Sequence, residues 1–140
     1  MTTVLADFRA GIMVCDSKCT DGPMWYPMSK VRRYGDELIG ISGNVREATA
    51  WLKWYLGGKR GSKPKMESFS ALIMRPTGLF AVSEDSFEMP VERGFHAVGS
   101  GGPCALGAMV AGADAERAVH IACQIDANSG GDVIVHKLAP

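Results

Sequence analysis

The order of hydrophobic segments predicts an α+β protein: a four-layer α/β/β/α sandwich with mostly antiparallel sheets, in one domain spanning residues 1–140. Three observations lead there. Short apolar or alternating runs come in pairs joined by tight-turn residues, which marks hairpins rather than parallel βαβ units. Amphipathic helical stretches follow strands, and each needs a sheet face to cover. A chain of 140 residues with 46% hydrophobic and 21% charged side chains has the length and balance of one globular domain with a substantial core.

Residues 3–8 (TVLADF) alternate in character and predict a strand. Ala10-Gly11 turns the chain, and Ile12 to Cys15 predicts the second strand of a hairpin. Residues 16–29 carry Asp, Gly, two Pro and Ser, a composition that predicts an irregular loop. Leu38 to Ser42 (LIGIS) reads as a third strand. Asn44 is a good helix N-cap, and Glu47 three residues on completes a capping-box pattern. The helix that follows places Val45, Ala48, Leu52, Tyr55 and Leu56 on one face, and Gly57-Gly58 ends it. Residues 59–65 (KRGSKPK) form a basic connector. Residues 69–75 and 79–82 predict another hairpin across Pro76-Thr77-Gly78. Phe95 to Val98 is a short strand running into Gly99-Ser100-Gly101-Gly102, and Pro103 suits a first helical position. A last helix starts at Asp114 with Ala118, Ile121, Ala122 and Ile125 on one face, and Val133 to His136 closes the chain as a strand.

Composition excludes several roles. The formal net charge is +0, so no overall field draws in nucleic acid or an anionic membrane. The basic connector has no interleaved aromatic residues and reads as a solvated loop. No apolar run approaches the ~18 residues of a membrane span. The chain start lacks a charged-then-apolar leader pattern, so a cytoplasmic protein is expected. In that compartment Cys15, Cys19, Cys104 and Cys123 are expected as reduced thiols. Cys15-x-x-x-Cys19 has no second Cys/His pair at ligand spacing, so neither a metal nor a cofactor is expected.

Thr2 is the first candidate for chemistry. Once Met1 is removed, as a small second residue permits, Thr2 carries a nucleophilic hydroxyl and a basic α-amine on one residue, a recognised activated nucleophile. Further polar residues stand where a predicted strand meets a loop or helix. These are Asp16, Lys30 ahead of Val31-Arg32-Arg33, Gly43, Ser100 in the Gly-Ser-Gly-Gly turn, and Asp126 and Ser129 in Asp126-Ala127-Asn128-Ser129-Gly130-Gly131. Taken singly, each also suits a turn, a cap or a surface position.

Taken together, and in this order, they resemble the proteasome β-subunit family and its HslV-type relatives, N-terminal-nucleophile hydrolases. The resemblance runs from Thr2-Thr3-Val4 to Val133-Ile134-Val135. Val31-Arg32-Arg33 is similar to HslV, whereas Asp126-Ala127-Asn128-Ser129-Gly130-Gly131 is similar to the proteasomal motif. The resemblance implies a threonine peptidase with Thr2 as nucleophile and with Asp16, Lys30, Ser100, Asp126 and Ser129 as its catalytic company. It implies an oxyanion hole at Gly43 and substrate contacts at Thr20 and Ile41. It further implies peptide or unfolded-protein substrates, a closed homo-oligomer and an ATPase unfoldase partner. Two other activities stay open: a non-peptidase amidohydrolase of the same superfamily, and a catalytically silent ring component. The chain departs from the family in being shorter. It shows one helix between the third strand and the next hairpin where the family has two. Trp51, Trp54 and Tyr55 crowd that helix, and either face a neighbouring subunit or cover the sheet.

Overall fold

The computed structural model describes residues 2–139. Eleven strands and three helices are found among them. Strands β1 (Val4–Asp7), β2 (Ile12–Cys15), β10 (Phe95–Val98) and β11 (Ile134–Lys137) form one sheet, in the order β10-β1-β2-β11. Strands β5 (Val31–Tyr34), β6 (Glu37–Gly43), β7 (Phe69–Arg75), β8 (Gly78–Val82) and β9 (Glu88–Pro90) form a second, in chain order. Every pairing is antiparallel.

The two-residue period of the strands sorts their side chains into three apolar layers. Val4, Ala6, Met13 and Cys15 face Val31, Leu38, Leu72 and Met74 between the sheets. On the other side of the first sheet, Leu5 and Val14 pack under α2 (Gly102–Val110) and α3 (Ala115–Ile125), against Ala105, Ala118 and Ala122. The outer face of the second sheet presents Ile39, Ala71 and Ile73 to α1 (Val45–Leu56). The four-layer α/β/β/α architecture is therefore as expected. Between β6 and β7 there is a single helix, and residues 57–68 contain neither helix nor strand.

The differences from the sequence reading are local. The expected loop over 16–29 contains a hairpin, β3 (Lys18–Asp21) with β4 (Met24–Pro27), paired Thr20↔Trp25. Its side chains are mostly exposed, so no burial-driven alternation announces it. Val31-Arg32-Arg33 belongs to a strand of its own, β5. The three-residue β9 carries too short a pattern to read. Asn44 caps α1 as expected, accepting from the N–H groups of Arg46 and Glu47 at 2.9 and 3.2 Å. The capping box does not close: Asn44 N–H donates to Ser68 O at 2.8 Å, and the Glu47 carboxylate accepts from the N–H groups of Glu67 and Ser68. Glu47 thus ties the helix start to the strand that follows.

The buried face of α1 centres on Trp51, which is 1% exposed, while Val45 and Leu56 point outward. Trp51 stacks on Tyr55 at 4.9 Å and meets Phe69 at 5.2 Å. In α3 the buried residues are Ala115, Ala118, Val119 and Ala122, and Ile125 is exposed. Both shifts rotate the helix by about one residue relative to the expected face. None of the described helices is long and apolar enough to cross a membrane.

Candidate active site

Thr2 stands directly before β1, an interior strand of its sheet, and keeps 7% of its surface. The turn between β10 and α2 closes over it. Gly101 N–H donates to Thr2 O at 3.2 Å. A Cβ on Gly99 would stand 2.0 Å from Thr2 O, and one on Gly101 would stand 1.9 Å from Thr3 Oγ1. The Gly-Ser-Gly-Gly run is therefore a close-approach device: only bare backbone fits against the start of β1.

Asp16 follows β2 and is fully buried. Its Oδ1 accepts from Thr3 N–H at 2.9 Å and from Lys30 Nζ at 2.7 Å. Its Oδ2 accepts from Gly130 N–H at 3.0 Å and Lys18 N–H at 3.3 Å. Lys30 also donates to Lys18 O at 2.7 Å. The Asp16 and Lys30 side chains are 0% and 5% exposed, so two charges are held out of water. Such a pair persists where further hydrogen bonds satisfy both partners, as they do here.

Asp126, Ser129 and Ser100 form a second polar group, joined to Thr3 through Ser129. The hydroxyls of Ser100 and Ser129 each donate to Asp126 Oδ2 at 2.6 Å. Burial raises the Asp126 pKa, but these two hydroxyls and the Asn128 N–H outweigh it and hold the carboxyl below its ordinary range. Because Ser129 spends its only hydroxyl proton on Asp126, the 2.7 Å contact with Thr3 Oγ1 requires Thr3 to donate. The result is a directed chain, Thr3 to Ser129 to Asp126.

In front of Thr2 opens a cavity of about 440 Å³. Thr2, Lys30, Gly43, Thr20 and Ile41 all line it, together with Ala48 and Leu52 of α1. Gly43 ends β6 at φ +115°, where an added Cβ would meet Ser68 O at 2.2 Å. That position therefore needs glycine for both conformation and space. Asp16, Ser100, Asp126 and Ser129 stand off the cavity wall and reach Thr2 through Thr3, Lys30 and the turn backbone. Every residue singled out from the sequence thus falls in one neighbourhood. Met1, whose removal the sequence reading requires, lies outside the described residues.

Sequence reasoning missed Thr3 and Lys18. Thr3 was hidden by its neighbour. Lys18 sat in a stretch read as loop. It is on β3, donates from Nζ to Ala127 O at 3.2 Å and lines the cavity. The cysteines are free. Burial pushes the Cys15 thiol up, and that of Cys123 to about 11. Among the described residues, no three His, Cys, Asp or Glu side chains gather as a metal site would need.

No family model and no curated protein matches the chain. Solved structures do. Eukaryotic HslV from Trypanosoma brucei superposes with a TM-score of 0.77 at 22% identity, over 97% of this chain and 99% of that one. Thiobacillus denitrificans BPH in complex with epoxomicin superposes with a TM-score of 0.72 at 24% identity, over 99% of this chain and 100% of that one. Thiobacillus denitrificans BPH in a further structure gives 0.71 at 22% identity, over the same shares of each chain. At these identities the likeness shows the fold. It is the four-layer sandwich that HslV shares, matched from end to end.

Proposed function

We propose that the chain is a threonine peptidase that hydrolyses peptide bonds with Thr2 as nucleophile after Met1 is removed. The observation that carries this is the placement of Thr2 on the wall of the cavity, beside Lys30 and Gly43. The fold shared with HslV supports it. In this reading the Thr2 hydroxyl attacks the scissile carbonyl, and its proton passes to the α-amine of the same residue. An α-amine has a free pKa of about 7.7–8.0, close to the pH at which a general base works best. The Lys30 ammonium, held in place by Asp16 at 2.7 Å, disfavours a second positive charge nearby and so favours the neutral amine. The Gly43 N–H donates to the developing oxyanion, a type of contact worth about 3–4 kcal/mol in other enzymes. Asp126, Ser129 and Ser100 fix the strand start. Thr20 and Ile41 hold the substrate. The protonated amine then gives that proton to the leaving nitrogen as the scissile C–N bond breaks and the first product departs, and water hydrolyses the acyl-enzyme ester with the freed amine again acting as base.

The proposal includes a closed homo-oligomer in the cytoplasm, fed by an ATPase unfoldase. Enclosure would keep the nucleophile from folded neighbours, and closed symmetry is the usual form of soluble homo-oligomers.

The test is Thr2→Ala, read by turnover of unstructured casein and of peptide amides, with the melting temperature measured alongside. Intact mass of the wild type establishes that Met1 is off. The expected outcome is loss of turnover by more than about 10³-fold with an unchanged melting temperature. Turnover at the wild-type rate would remove Thr2 from the chemistry.

A further inference from the structure

The cavity in front of Thr2 has an uneven charge. Lys18, Lys30 and Arg32 line it, and no Asp or Glu does among the described residues. The whole chain carries no net charge, so this imbalance belongs to the site. The three cations differ in what they already hold. Lys30 is paired with Asp16, and Lys18 Nζ donates to Ala127 O. No hydrogen bond or ion pair engages the Arg32 guanidinium among the described residues.

The strand register places it. On the edge strand β5, Arg32 pairs with Ile39 of β6, while Ile41 N–H donates to Lys30 O one step nearer Thr2. Val31 points between the sheets, so Lys30 and Arg32 share the other side of the strand. A two-residue step along a strand is about 6.8 Å. Arg32 therefore stands about one side-chain length beyond Lys30, past Ile41 and beside Ile39.

We propose that Arg32 selects substrates carrying a carboxylate side chain, glutamate above all, on the residue whose carbonyl Thr2 attacks. This rests on the peptidase reading of the site and adds the substrate class. A glutamate offers two methylenes to lie on Ile39 and Ile41, and a planar carboxylate that matches the guanidinium fork. Glutamine has the same shape without the charge. A lysine there would add a further cation to a wall that has three.

The experiment compares four peptide amides that differ only at that residue: Glu, Gln, Leu and Lys. Turnover is measured with the wild type, Arg32→Met and Arg32→Glu. The expected result is a kcat/KM about tenfold higher for Glu than for Gln, with Lys lowest. Arg32→Met should bring Glu and Gln level, and Arg32→Glu should favour Lys. Arg32 is exposed and on an edge strand, so both variants should keep the wild-type melting temperature. Equal turnover of Glu and Gln by the wild type, or a Glu preference that survives Arg32→Met, overturns the assignment. A second measurement separates it from the peptidase reading. The same four side chains, on peptide acids binding to Thr2→Ala, are ranked by fluorescence anisotropy without turnover. A Glu-over-Gln binding ratio that Arg32→Met abolishes upholds the selectivity even if no peptide is cleaved. The same ratio in both proteins refutes it.

Discussion

The Asp16 carboxylate accepts from four donors on three segments: Thr3, Lys30, and the backbone of Lys18 and Gly130. Its removal strands the Lys30 ammonium, whose side chain is 5% exposed. Asp16→Ala should therefore cost about 3–5 kcal/mol, the usual result of breaking one side of a buried pair. Replacing both partners, Asp16→Ala with Lys30→Met, should recover part of that stability but no activity. Denaturant melts of the two variants decide it, and a double variant no more stable than the single one would deny the coupling. Thr3 gives a subtler test. Thr3→Val keeps the shape but loses the hydrogen bond donated to Ser129. Activity should fall about tenfold or more while Thr3→Ser retains it, because a hydroxyl, not a methyl group, anchors the strand start. Equal rates for the two variants would make the hydroxyl incidental. Asp16 and Lys30 stood in the sequence at strand ends, where each alone also suited a turn or a surface position, and only the joint resemblance to a family grouped them. Thr3 and Lys18 were not legible, since a buried hydroxyl and a strand lysine look like any other.

At the level of elements, α1 shows why residue lists mislead. Its apolar residues suggested a face that includes Val45 and Leu56, yet both are exposed and Trp51 is buried. Trp51 takes the deepest place, against Ile39, Ile73 and Phe69. Trp51 covers the sheet and is not free to contact a neighbour. Trp54 also packs against that layer. Trp51→Ala should cost about 3–5 kcal/mol and, since α1 forms one wall of the cavity, should also raise KM. Unchanged stability would mean that the stacking with Tyr55 is dispensable. The far end of α1 is held by charge. Arg75 bonds Glu37 at 2.9 Å and Tyr55 Oη at 2.6 Å and also bonds Glu88, and Lys59 bonds Glu88 at 2.6 Å. Burial raises the Glu88 pKa, but its bonds to Lys59 and Arg75 outweigh that and leave it below the ordinary range. The hairpins were legible wherever one face was buried. The β3–β4 hairpin was not, because Met24, Trp25 and Tyr26 all face outward.

For the whole molecule, pH offers a test independent of activity. Burial lowers the His136 pKa, against a backbone hydrogen bond to Met13 that raises it, and nearby Arg33 lowers it further. Burial and Arg93 lower that of His96. A histidine depressed on folding binds fewer protons in the folded state than in the unfolded one. Stability is then full above the unfolded value of about 6.5 and declines as pH falls through it. Melting temperatures between pH 8 and pH 5 should fall for the wild type and fall less for the His96→Gln, His136→Gln pair. Parallel curves would place the acid sensitivity elsewhere. Native mass spectrometry checks the proposed assembly, and a monodisperse species at 15.0 kDa would refute it.

The register of the first sheet has a consequence in time. The second sheet is built from neighbours in the chain, so it can form as a succession of local hairpins. The first sheet joins β1 to β10, and β2 to β11, across most of the sequence. The contacts that complete the site span further still: Thr3 to Ser129 is a separation of 126 residues, and Asp16 to Gly130 is 114. Loops of that size close late. During synthesis, Thr3 and Asp16 therefore stay without these partners until Ser129 and Gly130 have emerged. Under the proposed peptidase reading, the nascent chain has no supported nucleophile before then.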